Sequence, residues 1–473
     1  MASINSAFMI TTGALEADQS ALNIVANNVA NANTPGYTQQ VPNWRENATV
    51  EINSAEYGTG VTETGPTSVR DRVLEERLMQ QQQAASASAS RLSAIASVQA
   101  LFTPASGSAN SMAGNIGSDI TAFFSSFSSL EANPTDSALR DQVLSTARTL
   151  AGDVSGAAAT LNAQRTSLDQ QADSLTNQVN SLATTIAQLN LEIEGSSPDA
   201  DAGALEDQRQ LDLGQLSQLI GINQIKTENN GISITTTSGE MLVSEGKSYL
   251  LTSGTLSGEA HFFIGAKDIT SSLCSGGGEL GGLITARDQD IPQALSGLDH
   301  LAYSVSMQMN ALNNSGSDLN GNTGTAANPV YIFNEPSGVA GSATTMSVAM
   351  MDPAKIAAAA SGQGSGDNSN CLKMAALATQ NIVGGLTPSG FYSNFVTALG
   401  ATVALVQTEN TARNASVTQL QTVRNALSSV NLNDQAALMQ QFERSYQAAS
   451  QVFAILNTVM NSAINLGVET AVS

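Results

Sequence analysis

Two cysteines, Cys274 and Cys371, and two histidines, His261 and His300, supply all the thiol and imidazole chemistry of the chain. The thiols permit one intramolecular disulfide, and whether they pair is open; alone they make neither a disulfide framework nor a structural four-ligand zinc site. No Ser/His/Asp or Cys/His signature of nucleophilic catalysis stands out. The glycine-rich run Gly276 to Gly282 lacks the Gly-Lys-Ser/Thr ending that cradles a phosphate. Asp318, Asn320 and Asn322 open like a calcium loop, yet Thr323 stands where glycine is required and Pro329 where the bidentate glutamate belongs, so a polar turn is expected. Glycoside hydrolysis needs paired carboxylates at a rigid cleft, and the acidic residues here are scattered. The expectation is a protein that is not an enzyme and takes no metal or cofactor.

Composition narrows the partners. Forty acidic against 18 basic residues give a net charge of −22, which argues against nucleic acid and anionic membrane surfaces. Only 12% of residues are charged, but 41% are hydrophobic, so the chain should fold. No apolar run approaches the roughly 18 residues of a membrane helix. The first Lys or Arg is Arg45, so a cleaved secretory signal is not expected. At about 150 residues per domain the length suggests roughly three domains.

What such a chain must position lies at its ends. Phe8, Leu15, Leu22 and Val29 recur every seven residues, with Ile4, Thr11, Asp18 and Val25 between them, predicting a helix with one narrow apolar seam. Asn33-Thr34-Pro35-Gly36 ends that helix. Leu438, Phe442, Ser445, Ala449, Val452, Leu456, Val459, Ala463 and Leu466 repeat the spacing at the C-terminus, and Met439, Tyr446, Phe453 and Met460 widen the face. Both polar faces carry Asn, Gln, Ser and Thr in place of Lys and Glu, which suits helices surrounded by other chains; pairing of the two on the monomer surface is the alternative. A narrow seam buries too little to offset ordering entropy, so the terminal helices are expected to be mobile until assembly. The candidate assembly interface is therefore Ile4, Phe8, Leu15, Leu22, Val25 and Val29 with Leu438, Phe442, Ala449, Val452, Leu456, Val459, Ala463 and Leu466.

Between the ends, Leu161 to Ile193 follows the same spacing, and Ala157 to Glu194 lacks Gly and Pro, predicting one long helix. Its expected partners are helices at Leu74 to Phe102, Ala294 to Leu312 and Phe391 to Leu427. Period-two alternation with turn signals predicts β-hairpins over 222–290, and a second such stretch over 315–351 has strand candidates at Val330 to Phe333 and Met346 to Val348. The fold class is mainly α with inserted β: an elongated multidomain protein with terminal coiled-coil-like helices, a long helical bundle and an outer β domain. The boundaries drawn are 1–37 plus 433–473, the terminal helices; 38–221 plus 291–314 plus 356–432, the elongated helical domain; and 222–290 plus 315–355, the β-rich insertion.

The segment from Ala26 to Tyr37, with Asn27, Asn28, Asn31, Asn33, Thr34, Pro35, Gly36 and Tyr37, resembles the N-terminal signature of bacterial flagellar axial proteins, the rod, hook and hook-associated family. Thr38-Gln39-Gln40 is similar to its hook-associated members. So are Leu130 to Asp136, Leu205 to Arg209, Gly278 to Leu283, Ser317 to Gly321, Val430 to Asn433 and Tyr446 to Ser450, in order and spacing. Gln210 departs from an Asp common in the family, and Arg70 to Glu76 is unusually charged. The resemblance implies a structural adaptor at the distal end of the hook, extracellular, exported by the flagellar type III apparatus without a cleaved signal, and needed for filament assembly and motility. It further implies a ring of about a dozen copies, with the terminal helices as inner tube. The partners implied are hook protein, the second hook–filament adaptor (hook-associated protein 3) and an export chaperone on the C-terminal helix. Another axial protein, hook or distal rod, is the alternative.

Overall fold

The computed structural model describes residues 2–52, 55–103, 116–196, 202–256 and 259–469. Helix α1 (Ala2–Ala30) leads into an antiparallel ribbon of β1 (Gln40–Glu46), the hairpin β2 (Val50–Ile52) and β3 (Ala55–Tyr57), and β4 (Val61–Ser68). Helices α2 (Arg72–Phe102), α3 (Ile116–Ala132), α4 (Ser137–Ser196) and α5 (Ala204–Leu219) follow. An antiparallel four-stranded sheet of β5 (Ile222–Lys226), β6 (Ile232–Thr236), β7 (Met241–Ser244) and β8 (Lys247–Ser248) precedes a three-stranded one of β9 (Leu251–Leu256), β10 (Glu259–Ile264) and β11 (Lys267–Asp268). The rest is helical: α6 (Thr270–Gly276), α7 (Gly278–Thr285), a π-turn at 286–290, α8 (Ile291–Ser315), α9 (Ser342–Thr345), α10 (Ser369–Ala376), α11 (Pro388–Ser428) and α12 (Leu432–Glu469).

Helix α4 sets the length of the molecule: 60 residues, or about 90 Å at 1.5 Å per residue. Its start is fixed by Asp136, whose Oδ1 accepts from the backbone N–H groups of Ala138 at 2.8 Å and Leu139 at 3.2 Å. The apolar rhythm extends back through Leu150, Leu144 and Val143, all buried, so the helix is more than half as long again as its glycine-free stretch. Gly152 merely faces open space. Helices α3 and α5 pack most closely on α4, joined by α7, α8 and α9, whereas α2 runs along α11. Phe123, Phe124 and Phe127 of α3 fill the widest core, with Phe123 and Phe127 edge to face at 5.4 Å. The glycine-rich run has a packing role: a Cβ on Gly282 would stand 2.1 Å from the Ala87 carbonyl, so α7 crosses α2 at backbone distance.

The β expectations need three corrections. Strands stop at Asp268, and 270–290 fold as helix, because Leu273, Leu280, Leu283 and Ile284 supply a buried helical face. In 315–355 there is no ladder among the described residues, only single bridges such as Phe333 to Val348. The backbone of that stretch is satisfied by amides of α8 instead: Asn310 Oδ1 accepts from the Ile332 and Phe333 N–H groups, each at 3.0 Å, and its Nδ2 donates to the Phe333 carbonyl at 2.9 Å. Finally, 40–68, placed with the helical domain, form the ribbon β1 to β4, which lies along α1. The calcium-like Asp318 accepts from the Asn320 and Asn322 N–H groups, both at 2.8 Å, closing a turn.

Both sheets are clamped to α4 by amides. Asn190 donates to the carbonyls of Ile232 and Glu245, each at 2.8 Å, and Asn180 exchanges two 2.8 Å bonds with Leu251. Arg209 on α5 donates to Asn190 Oδ1 at 2.9 Å and to the Asn230 carbonyl at 2.7 Å; its burial pulls the guanidinium down to about 10. Cys371 is fully buried, with its thiol donating to the Phe127 carbonyl at 3.1 Å, and both cysteines are free.

Candidate assembly interface

The two terminal helices pair antiparallel. Phe8 meets Phe453 edge to face at 5.3 Å, while Val25 packs on Phe442 and Asn28 meets Gln435 near the other end. Of the two arrangements open to the sequence the monomer adopts the intramolecular pair, and the helices are not left unpartnered. What tips the balance is the ribbon: β1 and β4 lie on α1, and Trp44 stands edge to face on Phe442 at 5.9 Å. A third layer roughly offsets what a two-helix seam lacks.

The pairing uses part of the candidate interface. Val25 and Phe442 are buried, and Ile4, Phe8, Leu15, Leu22, Leu438, Ala449 and Leu456 are half-buried. Val29, Val452, Val459 and Ala463 are exposed in the monomer, and the side chain of Leu466 lies outside the described residues. The reason is geometric. Phe442, Ala449, Phe453, Leu456 and Met460 turn toward α1, whereas Val452 (49% exposed), Ile455 (62%) and Val459 (46%) lie about a quarter turn round the same helix. The apolar arc of α12 is thus wide enough for two partners, and one is present. One stretch within 388–465 is, by length and composition, apolar enough to cross a membrane, which corrects the expectation that no such run exists.

The Asn-rich motif is a buried knot at the root of this pair. Asn28, 1% exposed, fills every hydrogen-bonding slot of its amide. Its Nδ2 donates to the Gln40 carbonyl at 2.8 Å and to Gln435 Oε1 at 3.0 Å; its Oδ1 accepts from the Tyr37 hydroxyl at 2.8 Å and the Gln40 N–H at 3.0 Å. One side chain joins α1, β1 and α12. Asn31 donates to the Asn27 carbonyl at 3.0 Å and accepts from the Thr34 hydroxyl, finishing the helix, and Gly36 takes φ +82°, which favours glycine. Asn27 is exposed on α1, and Asn33, Thr34 and Pro35 are exposed on the turn. Below it, buried Thr38 donates its N–H to Asp207 Oδ2 at 3.0 Å, and Arg70 pairs with Asp207 and with Glu206 at 3.3 Å. Burial pushes the Asp207 carboxyl above its usual range against the pull of Thr38 and Arg70, and burial near Asp207 raises Tyr37 to about 12. The segments 26–37 and 205–209, noted separately in the sequence, therefore meet in space. The unusual charges find partners too, Arg70 here and Glu75 on Arg424 at 3.0 Å. Gln435, Thr38 and the role of Asp207 were missed; the only signal was the presence of both segments in one resemblance.

Among the described residues no three His, Cys, Asp or Glu side chains gather as metal ligands. The sparsely charged terminal helix pair with its open apolar arc is carried on a long mainly helical body, and residues 10–38 match the family described as flagella basal body rod protein. The particular likeness is to flagellar hook-associated protein 1. Residues 106–327 match the family described as flagellar hook-associated protein FlgK helical domain. The chain is 23% identical to flagellar hook-associated protein 1 of Salmonella typhimurium over 96% of its own length and 98% of that protein's, and 25% identical to that of Bacillus subtilis over 96% of each. Among solved structures, the flagellar hook junction protein FlgK of Burkholderia pseudomallei shares the fold, with a TM-score of 0.64 at 18% identity over 75% of this chain and all of that one. The resemblance read from the sequence thus holds along nearly the whole chain.

Proposed function

We propose that this chain is a structural adaptor of the bacterial flagellum that assembles at the distal end of the hook and carries the filament. The observation that supports this best is the open half of the α12 arc: Val452, Ile455 and Val459 are exposed in the monomer on a helix whose polar face is almost free of charge. A chain with net charge −22 can pack against copies of itself only where charge is sparse, and the terminal pair is such a place. Covering that stripe with the terminal pair of a neighbouring copy removes it from water and closes a ring of about a dozen chains. Hook protein lies on one side of the ring and the second adaptor, hook-associated protein 3, on the other. Before assembly the same stripe is a docking face for an export chaperone, and the type III apparatus carries the chain out without signal cleavage. The role is mechanical, with no catalysis and no cofactor. A second reading, hook or distal rod protein, draws on the match of residues 10–38 to the rod family alone. Deleting the coding sequence separates the two: an adaptor leaves complete hooks without filaments, whereas loss of a rod or hook protein leaves no complete hook.

A further inference from the structure

The chain passes between the terminal unit (α1, the β1–β4 ribbon and α12) and the body at two places, from β4 into α2 and from α11 into α12. Both are gripped beside the 31–39 loop, which lies against α5. At the first, the Asp207 carboxylate of α5 accepts from the Thr38 N–H at 3.0 Å and pairs with Arg70, the residue between β4 and α2. The Val69 N–H there donates to the Gln39 carbonyl at 2.8 Å. At the second, the Gln39 N–H donates to the carbonyl of Ser428, the last residue of α11, at 2.9 Å. Thr38, Arg70 and Asp207 are each nine-tenths buried or more. A proline-glycine turn is ordinarily a pliable joint; here a buried carboxylate holds the strand that follows it.

We infer that Asp207 is the positioning residue that fixes the attitude of the terminal unit against the body, acting through Thr38 and Arg70, while Asn28 keeps that unit in one piece. The grip makes the connection a strut in place of a leash, which is what a joint transmitting torque requires. The inference concerns the monomer and stands apart from where the protein assembles.

Spin-label distances in the full chain test it. With Cys274→Ala as background, the enclosed Cys371, whose thiol burial raises to about 12, stays unlabelled. Exposed positions give two pairs: Thr185→Cys with Gln451→Cys spans body and terminal unit, and Gln19→Cys with Gln451→Cys lies within the terminal unit. Both distributions should be narrow in the parent. Asp207→Ala should widen the first at least twofold and leave the second, with hydrogen exchange in α3 and α4, unchanged. Asp207→Asn, which keeps an acceptor for Thr38 but loses the ionic grip on Arg70, should fall between, and Arg70→Ala should add nothing to Asp207→Ala. An unchanged first distance in Asp207→Ala overturns the inference. So does widening of both pairs, or faster exchange in the body, because the carboxylate would then merely support folding.

Discussion

Replacing Ile455 with aspartate separates the assembly face from the folding face. Ile455 is 62% exposed on α12, so in the monomer a carboxylate there stays solvated and stability should shift by no more than about 0.5 kcal/mol. In the ring proposed above the same position is covered. The exposed half of an aliphatic side chain contributes about 1 kcal/mol on burial, and desolvating an unpaired carboxylate costs several kcal/mol more. A penalty of about 4 kcal/mol or more per contact is roughly a thousandfold in association, and each copy in a ring makes the contact twice. Thermal melts of purified protein, quantified export into the medium and electron microscopy of hook ends read the three steps separately. The expected pattern is a normal melt, normal export and bare hooks. Normal filaments on Ile455→Asp would refute the reasoning, as would a melt lowered by many degrees, since the residue would then serve the monomer.

Three other outcomes are expected. Phe442→Ala removes a buried ring from Val25 and Trp44, so protection of α1 and α12 in hydrogen exchange should fall by about 3 kcal/mol, while the body melts as before. Asp119 on α3, partly buried and hydrogen-bonded to Asp153 of α4, has its carboxyl pushed up to about 7, by burial first and its neighbour second. The folded chain then binds more protons than an unfolded one, whose Asp titrates near 4. Stability should therefore fall as pH rises from about 4 through 7, and Asp119→Asn should flatten that slope in denaturant titrations. Gly282→Ala pushes a methyl against the Ala87 carbonyl at 2.1 Å and should destabilise the body by about 1–3 kcal/mol, read from the denaturant midpoint.

Long periodic elements were legible because a repeated apolar spacing leaves one way to bury a face. Leu161 to Ile193 lies within α4, and the two terminal repeats lie in α1 and α12. The ribbon from Gln40 to Ser68 was not seen: its strands present an intermediate and exposed surface to α1, so no clean alternation marks them. The helices over 270–290 follow a stretch whose alternation and turn signals point to hairpins, and of their glycines Gly277 and Gly282 serve the close crossing on α2. The knot was least legible. Asn28 and Gln435 stand 407 residues apart, and nothing local tells an asparagine that finishes a helix from one whose amide joins three elements. The split of the α12 arc was hidden for a related reason, since periodicity gives the width of a face and not the number of partners that share it.

Immunogold labelling of isolated hook–filament complexes with antibody to this chain tests the central claim most directly. An adaptor gives a single narrow band of gold between hook and filament, present on hooks that have lost their filaments and absent from the rod. Gold spread along the hook, or confined to the rod, would contradict the adaptor role and make the chain another axial component.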